Sequence, residues 1–358
     1  MKRTIHFVYT VPRSSNIIRR VIDKIIAKIR IMPPLHRSGK DFLIPWRKPV
    51  RAPHSISHHL LNALKKHGKV KFYSLYENTV CKMRKDDILI GSPIQDYSKL
   101  PLEKPDYNTV LIRTLERYPD HKNTFIIMPY SNHSRYVGWA KTIIEKFGKN
   151  IILIAGKIWL ENPNKSSWES YDNLRKMRVD MGIDTVDYPV VKKTFNKKGN
   201  RGFLYVGHTS WYKNTDQLEK IARSMPNFKF GHIGSGHIEG WKKIAEFTDL
   251  TPVFMSKIAE EYDFFINCSS ADPQATTILE HMCFGFVVAC TPESGYDYDS
   301  IIPLKVNDVG FNCSQLNNMQ LIEESELLAH ARKNLDYVLK FHSWDLFCNK
   351  VINFVFNP

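Results

Sequence analysis

Cysteine chemistry has little to work with in this chain. The six cysteines, Cys81, Cys268, Cys283, Cys290, Cys313 and Cys348, form no CxxC pair and have no histidine at zinc-ligand spacing. That excludes a zinc ribbon and a disulfide frame, and predicts buried thiols in a reducing compartment. Long apolar runs are also missing, none approaching the roughly 20 residues that span a bilayer. The opening Met1–Pro12 holds too short an apolar run for a secretory signal and no small-residue cleavage site, so a cytoplasmic location is expected. No internal repeat or low-complexity tract appears.

Acid is scarce at the front. Residues 1–85 hold 20 of the 51 Lys and Arg but only Asp23, Asp41 and Glu77, whereas the other 273 residues are close to charge balance. Within Asn16–Met32, Ile17, Ile18, Val21, Ile22, Ile25, Ile26 and Ile29 fall on one helical stripe beside Arg19, Arg20, Lys24, Lys28 and Arg30. Pro33-Pro34 stops that helix, and Trp46-Arg47-Lys48 adds an aromatic-basic patch. An apolar face beside a basic one suits an anionic membrane surface, with the chain peripheral on its inner face. The same stripe also suits simple packing onto a sheet with the basic face in water. Charge alone permits a nucleic-acid partner, but aromatic-interleaved readout motifs are lacking and such a partner is not expected.

Chemistry concentrates in Ile266–Thr291, INCSSADPQATTILEHMCFGFVVACT. A short apolar strand at Phe264–Ile266 runs into small polar residues, then Asp272, then a helix carrying Glu280, with Gly285 ending it before a strand over Phe286–Ala289. Strand, polar turn and helix N-terminus bring free amides and the positive end of a helix dipole together, which attracts a phosphate. A carboxylate two turns into such a helix has the reach and acceptor geometry for a ribose diol. The segment resembles the donor-site signature of GT-B glycosyltransferases of the large retaining family 4, an E-x7-E motif in a strand–loop–helix–Gly–strand frame. Glu280 stands at the second Glu and Asp272 at the first, while Pro273-Gln274-Ala275 replaces the family's Gly-Phe-Gly.

A second segment extends the resemblance. Phe203–Gly207 reads as a buried strand, Leu218–Met225 as a helix, and Phe228–Gly236 as a strand entering a Gly-rich turn at Gly234 and Gly236. Similar enzymes have a strand ending Gly-Arg, a Lys five residues later, a helix, and a strand ending Gly-x-Gly. Here Gly207 is followed by His208 in place of the Arg, and Lys213 stands at the Lys. The resemblance implies that Lys213, helped by His208, stabilises a leaving diphosphate and that Ala275, Thr276 and Thr277 bind it at the helix N-terminus. It further implies that Glu280 holds the ribose and Asp272 the sugar hydroxyls, with Gly207, Gly234 and Gly236 shaping the donor site. The implied cofactor list is empty and no metal is expected, a lysine and a helix N-terminus serving instead. The resemblance further implies a nucleotide-diphospho-sugar donor, UDP- or GDP-linked, and transfer with retention.

The N-terminal half reads as a less regular Rossmann-like domain. Strands are predicted at Ile5–Thr10, Val70–Leu75, Ile88–Ile90, Thr124–Met128 and Ile151–Ala155, and helices over Ser55–His67 and Arg135–Phe147. Alternation of strand and helix predicts an α/β fold with mostly parallel sheets. Two Rossmann-like domains of GT-B type are therefore expected. Residues 1–190 form an acceptor domain with a basic insertion at 11–53, and 191–344 a nucleotide-sugar domain. A last helix, 345–358, returns to the first domain. The polar, basic run 190–201 reads as the linker. His133 is either a ligand to the sugar or diphosphate or a helix cap, and Gly156-Lys157 stands where similar enzymes often carry a His. The acceptor is expected to be a saccharide, a lipopolysaccharide or a lipid-linked glycan, in surface polysaccharide or glycolipid assembly. Two rivals remain open: a nucleotide-sugar epimerase or hydrolase of the same fold, and a non-catalytic basic membrane- or nucleic-acid-binding protein with a decayed nucleotide site.

Overall fold

A computed structural model describes residues 3–9, 54–75, 77, 79–92, 109–128, 146–147, 150–162, 174–246 and 250–357. The chain divides into two compact units. The first comprises Met1–Leu153, Ser170–Val179 and Cys348–Pro358, the second Ile154–Glu169 and Asp180–Phe347. Two of the sequence-stretches of interest, 10–53 and 129–145, fall outside the described residues. With them go His133, the Ile stripe with Arg19, Arg20, Lys24 and Lys28, and the patch of Trp46, Arg47 and Lys48.

The first unit is built on a six-stranded sheet. Its strands are β1 (Thr4–Tyr9), β2 (Lys69–Ser74), β3 (Ile88–Gly91), β4 (Thr124–Met128), β5 (Asn150–Ile154) and β6 (Lys176–Val179), in the order β2-β1-β3-β4-β5-β6. The pairings from β2 through β5 are parallel. β1, β3 and β4 are buried along their whole length, as continuous apolar runs in parallel sheets must be. The helix His54–His67 keeps Ile56, Leu60, Leu61 and Leu64 in the core and collects Lys65, Lys66 and His67 in its last turn, where cations favour the dipole. The terminal helix Trp344–Phe356 ends in this unit, Phe354 lying edge-on to Phe125 at 5.7 Å beneath the Arg175 guanidinium.

The second unit carries β7 (Gly202–Val206), β8 (Lys229–Ile233), β9 (Lys242–Ala245), β10 (Phe264–Asn267), β11 (Val287–Cys290) and β12 (Ile302–Pro303). Their order is β12-β11-β10-β7-β8-β9, with every neighbour pair parallel. From the β9 edge the unit's own strands run third, second, first, fourth, fifth, sixth, the Rossmann order. Its topological switch point falls between β7 and β10, and in such sheets ligands bind at the carboxyl ends of the strands there. Among strands not foreseen in the sequence are β6, β9 and β12. All are short edge elements, and only one residue of the three is fully buried, so no apolar pattern announces them.

The stretch 190–201 is not a free linker. The amides of Val191 and Lys192 donate to the Phe284 carbonyl, and the Lys192 ammonium reaches Asp263 at 2.7 Å and the Ala259 carbonyl at 2.6 Å. Asp263 also accepts from the amides of Asn196 and Gly202, and the Arg201 guanidinium donates to the carbonyls of Met319, Gln320 and Ile322. Lys192 and Arg201 look solvated in sequence, yet both are buried because anions and carbonyls meet them inside the second unit. All six cysteines are free, five of them buried. Among the described residues no helix is long and apolar enough to cross a membrane.

Removing one partner of a buried ion pair strands the other charge, so Asp263→Ala should cost about 3–5 kcal/mol of stability. Urea unfolding of the variant beside the wild type measures it. A loss below about 1 kcal/mol would mean that Lys192 finds water or another partner.

Candidate functional site

The site lies where β7, β8 and β10 end. β10 delivers Asn267, whose side-chain oxygen accepts from the Ser269 amide (2.9 Å), the Ser269 hydroxyl (2.6 Å) and the Ser294 hydroxyl (3.1 Å). That polar knot turns the chain into the loop 268–275. The loop is then tied at each step. The Asp272 amide donates to the Glu293 carbonyl and the Ala275 amide to that of Ser294, at 2.9 and 3.1 Å. The Trp159 indole donates to the Asp272 carbonyl at 2.9 Å and the Gly156 amide to that of Pro273 at 2.7 Å. The Gln274 side chain accepts from the Met181 amide and donates to Asp180. Pro273-Gln274-Ala275 thus holds rigidly a loop that glycines would leave loose.

The helix Thr276–Phe284 follows. Ile278, Leu279, His281, Met282, Cys283 and Phe284 are buried, leaving Thr276, Thr277 and Glu280 half-exposed. Spacings of three and four put those side chains on one helical face. Gly285 ends the helix in the left-handed region at φ 89°, where a Cβ would stand 2.8 Å from the Lys192 carbonyl. The N-cap Ala275 makes no side-chain capping bond, so the N-cap itself does not occupy the amides of the first turn. The Ala275 amide itself is taken by Ser294, which removes it from the expected phosphate donors. Tyr188 donates to Glu280 at 3.4 Å and packs edge-on against Phe284, and burial followed by the Glu280 charge pushes its phenol well up.

After β7 the chain runs Gly207, His208, Thr209, Ser210 into a short turn at Trp211–Lys213, closed by Asn214 in the left-handed region. Lys213 forms an ion pair and hydrogen bond with the Asp272 carboxylate. The Ser270 amide donates to the Tyr212 carbonyl at 2.8 Å, which joins this turn to the β10 loop. The His208 ring is held on both sides, Nδ1 by the Ser210 amide and hydroxyl and Nε2 by the Tyr212 hydroxyl. An amide donating to Nδ1 makes that nitrogen the acceptor, so the neutral Nε2–H tautomer is selected. Burial, then the Lys213 charge, hold its pKa below the usual 6.5. In the ligand-free chain His208 is thus held neutral at pH 7 and ties the Tyr212 and Lys213 turn together.

β8 ends against β7. The Gly207 amide donates to the Ile233 carbonyl and the His232 ring bonds the Gly207 carbonyl, both at 2.9 Å. A Cβ on Gly234 would stand 1.9 Å from the Gly207 oxygen, and one on Gly236 2.2 Å from the Thr209 hydroxyl. Gly-x-Gly is thus required for the two strand ends to close up. Lys243 caps the Gly234 and Gly236 carbonyls from β9. Lys157 forms an exposed pair with Glu161 at 3.5 Å, away from these contacts. Tyr212, Tyr188, Trp159 and Lys243 went unread in the sequence. Only Tyr212, adjacent to Lys213, carried a positional hint; the others arrive from distant segments. Among the described residues no group of three or more His, Cys, Asp or Glu could hold a metal ion.

No protein-family model and no curated protein matches the sequence. Solved structures do match. TarM of S. aureus, solved with UDP and alpha-GlcNAc-glycerol, superposes with TM-score 0.54 at 14% identity over 76% of this chain and 56% of its own. The chain thus spans little more than half of TarM. WaaG, a glycosyltransferase involved in lipopolysaccharide biosynthesis, matches with TM-score 0.52 at 12% identity, over 99% of this chain and 100% of its own. An alpha-glucosyltransferase solved with UDP-glucose and DNA containing an abasic site gives TM-score 0.51 at 10% identity, over 99% of both chains. The chain has the GT-B fold.

Within this GT-B chain, the side chains of Lys213, Asp272 and His208 meet around Tyr212. Glu280 sits about one turn into the helix Thr276–Phe284, beside Tyr188. The Lys213 charge acts on His208, so Lys213→Met should raise the His208 pKa towards 6.5 while His208 stays neutral at pH 7 in the wild type. Imidazole ¹⁵N shifts followed from pH 5 to 8 read both forms. An unmoved titration in the variant would show that burial alone sets it.

Proposed function

We propose that this protein is a glycosyltransferase that moves a sugar from a nucleotide-diphospho-sugar, UDP-linked in the first instance, onto an anionic acceptor. The single observation that carries the reading is the switch point between β7 and β10. There the loop bearing Lys213 meets the loop bearing Asp272, which leads into the helix of Glu280, at the position where Rossmann-type sheets bind ligands. The fold neighbours solved with UDP or UDP-glucose support the choice of base.

The roles follow from chemistry at each atom. The Lys213 ammonium neutralises charge that builds on the departing diphosphate, most strongly where water is largely excluded. Amides of Thr276 and Thr277 and their hydroxyls bind the phosphates at the helix N-terminus. Glu280, steadied by the Tyr188 hydroxyl, accepts from the ribose diol. Asp272 accepts from hydroxyls of the transferred sugar. Transfer with retention and without a metal belongs to the same reading. The acceptor meets the strongly basic residues 1–85, which favours a phosphorylated saccharide, lipopolysaccharide core or lipid-linked glycan at the cytoplasmic face of a membrane. A second reading, DNA as acceptor, is favoured by the same charge together with the alpha-glucosyltransferase neighbour. Incorporation of label from UDP-glucose into lipopolysaccharide or into duplex DNA separates the two.

A thermal-shift panel of UDP-, GDP-, ADP-, CMP- and dTDP-sugars on wild type and Glu280→Ala tests the donor site. A ligand at a hundred times its Kd should stabilise the fold by roughly 2.7 kcal/mol. We expect a UDP-sugar to shift the wild type and not the variant. No shift with any member of the panel would sink the reading.

A further inference from the structure

We propose that Asp272 is an internal counter-ion that a nucleoside diphosphate displaces from Lys213, so that donor binding exchanges one anion for another. The inference rests on the nucleotide-sugar reading above and specifies how that site admits its ligand. Asp272 and Lys213 are paired directly, with side chains only 8% and 12% exposed. Direct contact and burial leave the pair little access to solvent. The residue at the first carboxylate of the motif therefore does not wait free for a sugar. It already holds Lys213, the lysine assigned above to the diphosphate.

Among the described residues, the other groups bonded around the pair do not replace either partner. His208, the nearest other titratable base, is neutral near pH 7 and committed to Ser210 and Tyr212. The Tyr212 ring lies 5.5 Å from the Lys213 ammonium and offers a weak cation–π contact, not a counter-charge. Both backbones are fixed independently of the pair. The Lys213 amide donates to the Ser210 carbonyl, the Asp272 amide to Glu293, and the Asp272 carbonyl accepts from Trp159. Exchange thus needs only side-chain rotation, with the lysine turning from carboxylate to phosphate.

Two consequences follow. Apparent affinity for the diphosphate falls by the fraction of time Lys213 is unpaired; were it free one-tenth of the time, the loss would be about tenfold. A displaced Asp272 also stands as a desolvated anion beside a new anion. Sugar hydroxyls relieve that by donating to it, whereas the bare nucleotide product cannot. The exchange accordingly favours the intact donor over the released nucleoside diphosphate.

Calorimetric titration of UDP into the full chain tests this with wild type, Asp272→Asn, Lys213→Gln and the double variant, with Asp272→Ser as a second neutral replacement should Asp272→Asn melt early. The expected result is UDP binding about tenfold tighter in Asp272→Asn than in wild type, with the gain absent in the Lys213→Gln background. Unchanged or weaker UDP binding in the Asp272 variants would overturn the exchange while leaving the donor site standing. A gain that persists without Lys213 would also overturn it, because removal of one negative charge would then explain everything. Absence of UDP, GDP and ADP binding in the wild type and both Asp272 variants would sink the nucleotide reading itself.

Discussion

The second unit depends on a constraint of parallel sheets. Consecutive parallel strands need crossover connections, and when those connections reverse direction the two central strands open a gap at their carboxyl ends. Here the central strands are β7 and β10, paired at Phe203 with Phe264 and Leu204 with Phe265. The side chains with chemistry to offer lie on the loops that leave these two strands. Phe203, Tyr205, Phe264 and Ile266 fill one core beneath them with Leu218, Ile221 and Trp241. Burial of that cluster is what keeps the two loop origins side by side.

Given that origin, polar ties decide where the loops go. Asn267 gathers two serines, Thr291 bonds both the Ser269 carbonyl and the Ser294 hydroxyl, and Trp159 reaches in from after β5. These bonds are buried, where losing one leaves an unsatisfied group and costs more than it would in water. The consequence is a loop, residues 268–275, whose backbone is held at several points. With the backbone so tied, the proposed exchange at the Lys213–Asp272 pair needs only side-chain rotation.

Much of this was legible in advance. Apolar runs such as Phe203–Val206 and Phe264–Ile266 are buried on both faces, so their β-rich composition marked them directly. Gly285 and the Gly234, Gly236 pair were legible because positive φ and close backbone approach admit almost nothing else. Lys213, Asp272 and Glu280 stood out through their spacing from those elements. The stretch 190–201 misled, because Lys and Arg in a polar run suggest solvent. Their partners, Asp263 and the Met319–Ile322 carbonyls, lie far off in sequence.

The sequence by itself determined the alternation of strand and helix, the glycines at the turns and the candidate charged residues, since each is a local property of backbone sterics, periodicity or side-chain chemistry. Tertiary structure alone decided the protonation of His208, the capture of the Ala275 amide by Ser294, the pairing of Lys213 with Asp272 and the contact of Tyr188 with Glu280. Each of these is an interaction between segments tens of residues apart or a consequence of burial. Desolvation and partner choice arise only when such segments are packed together, and no local pattern encodes them.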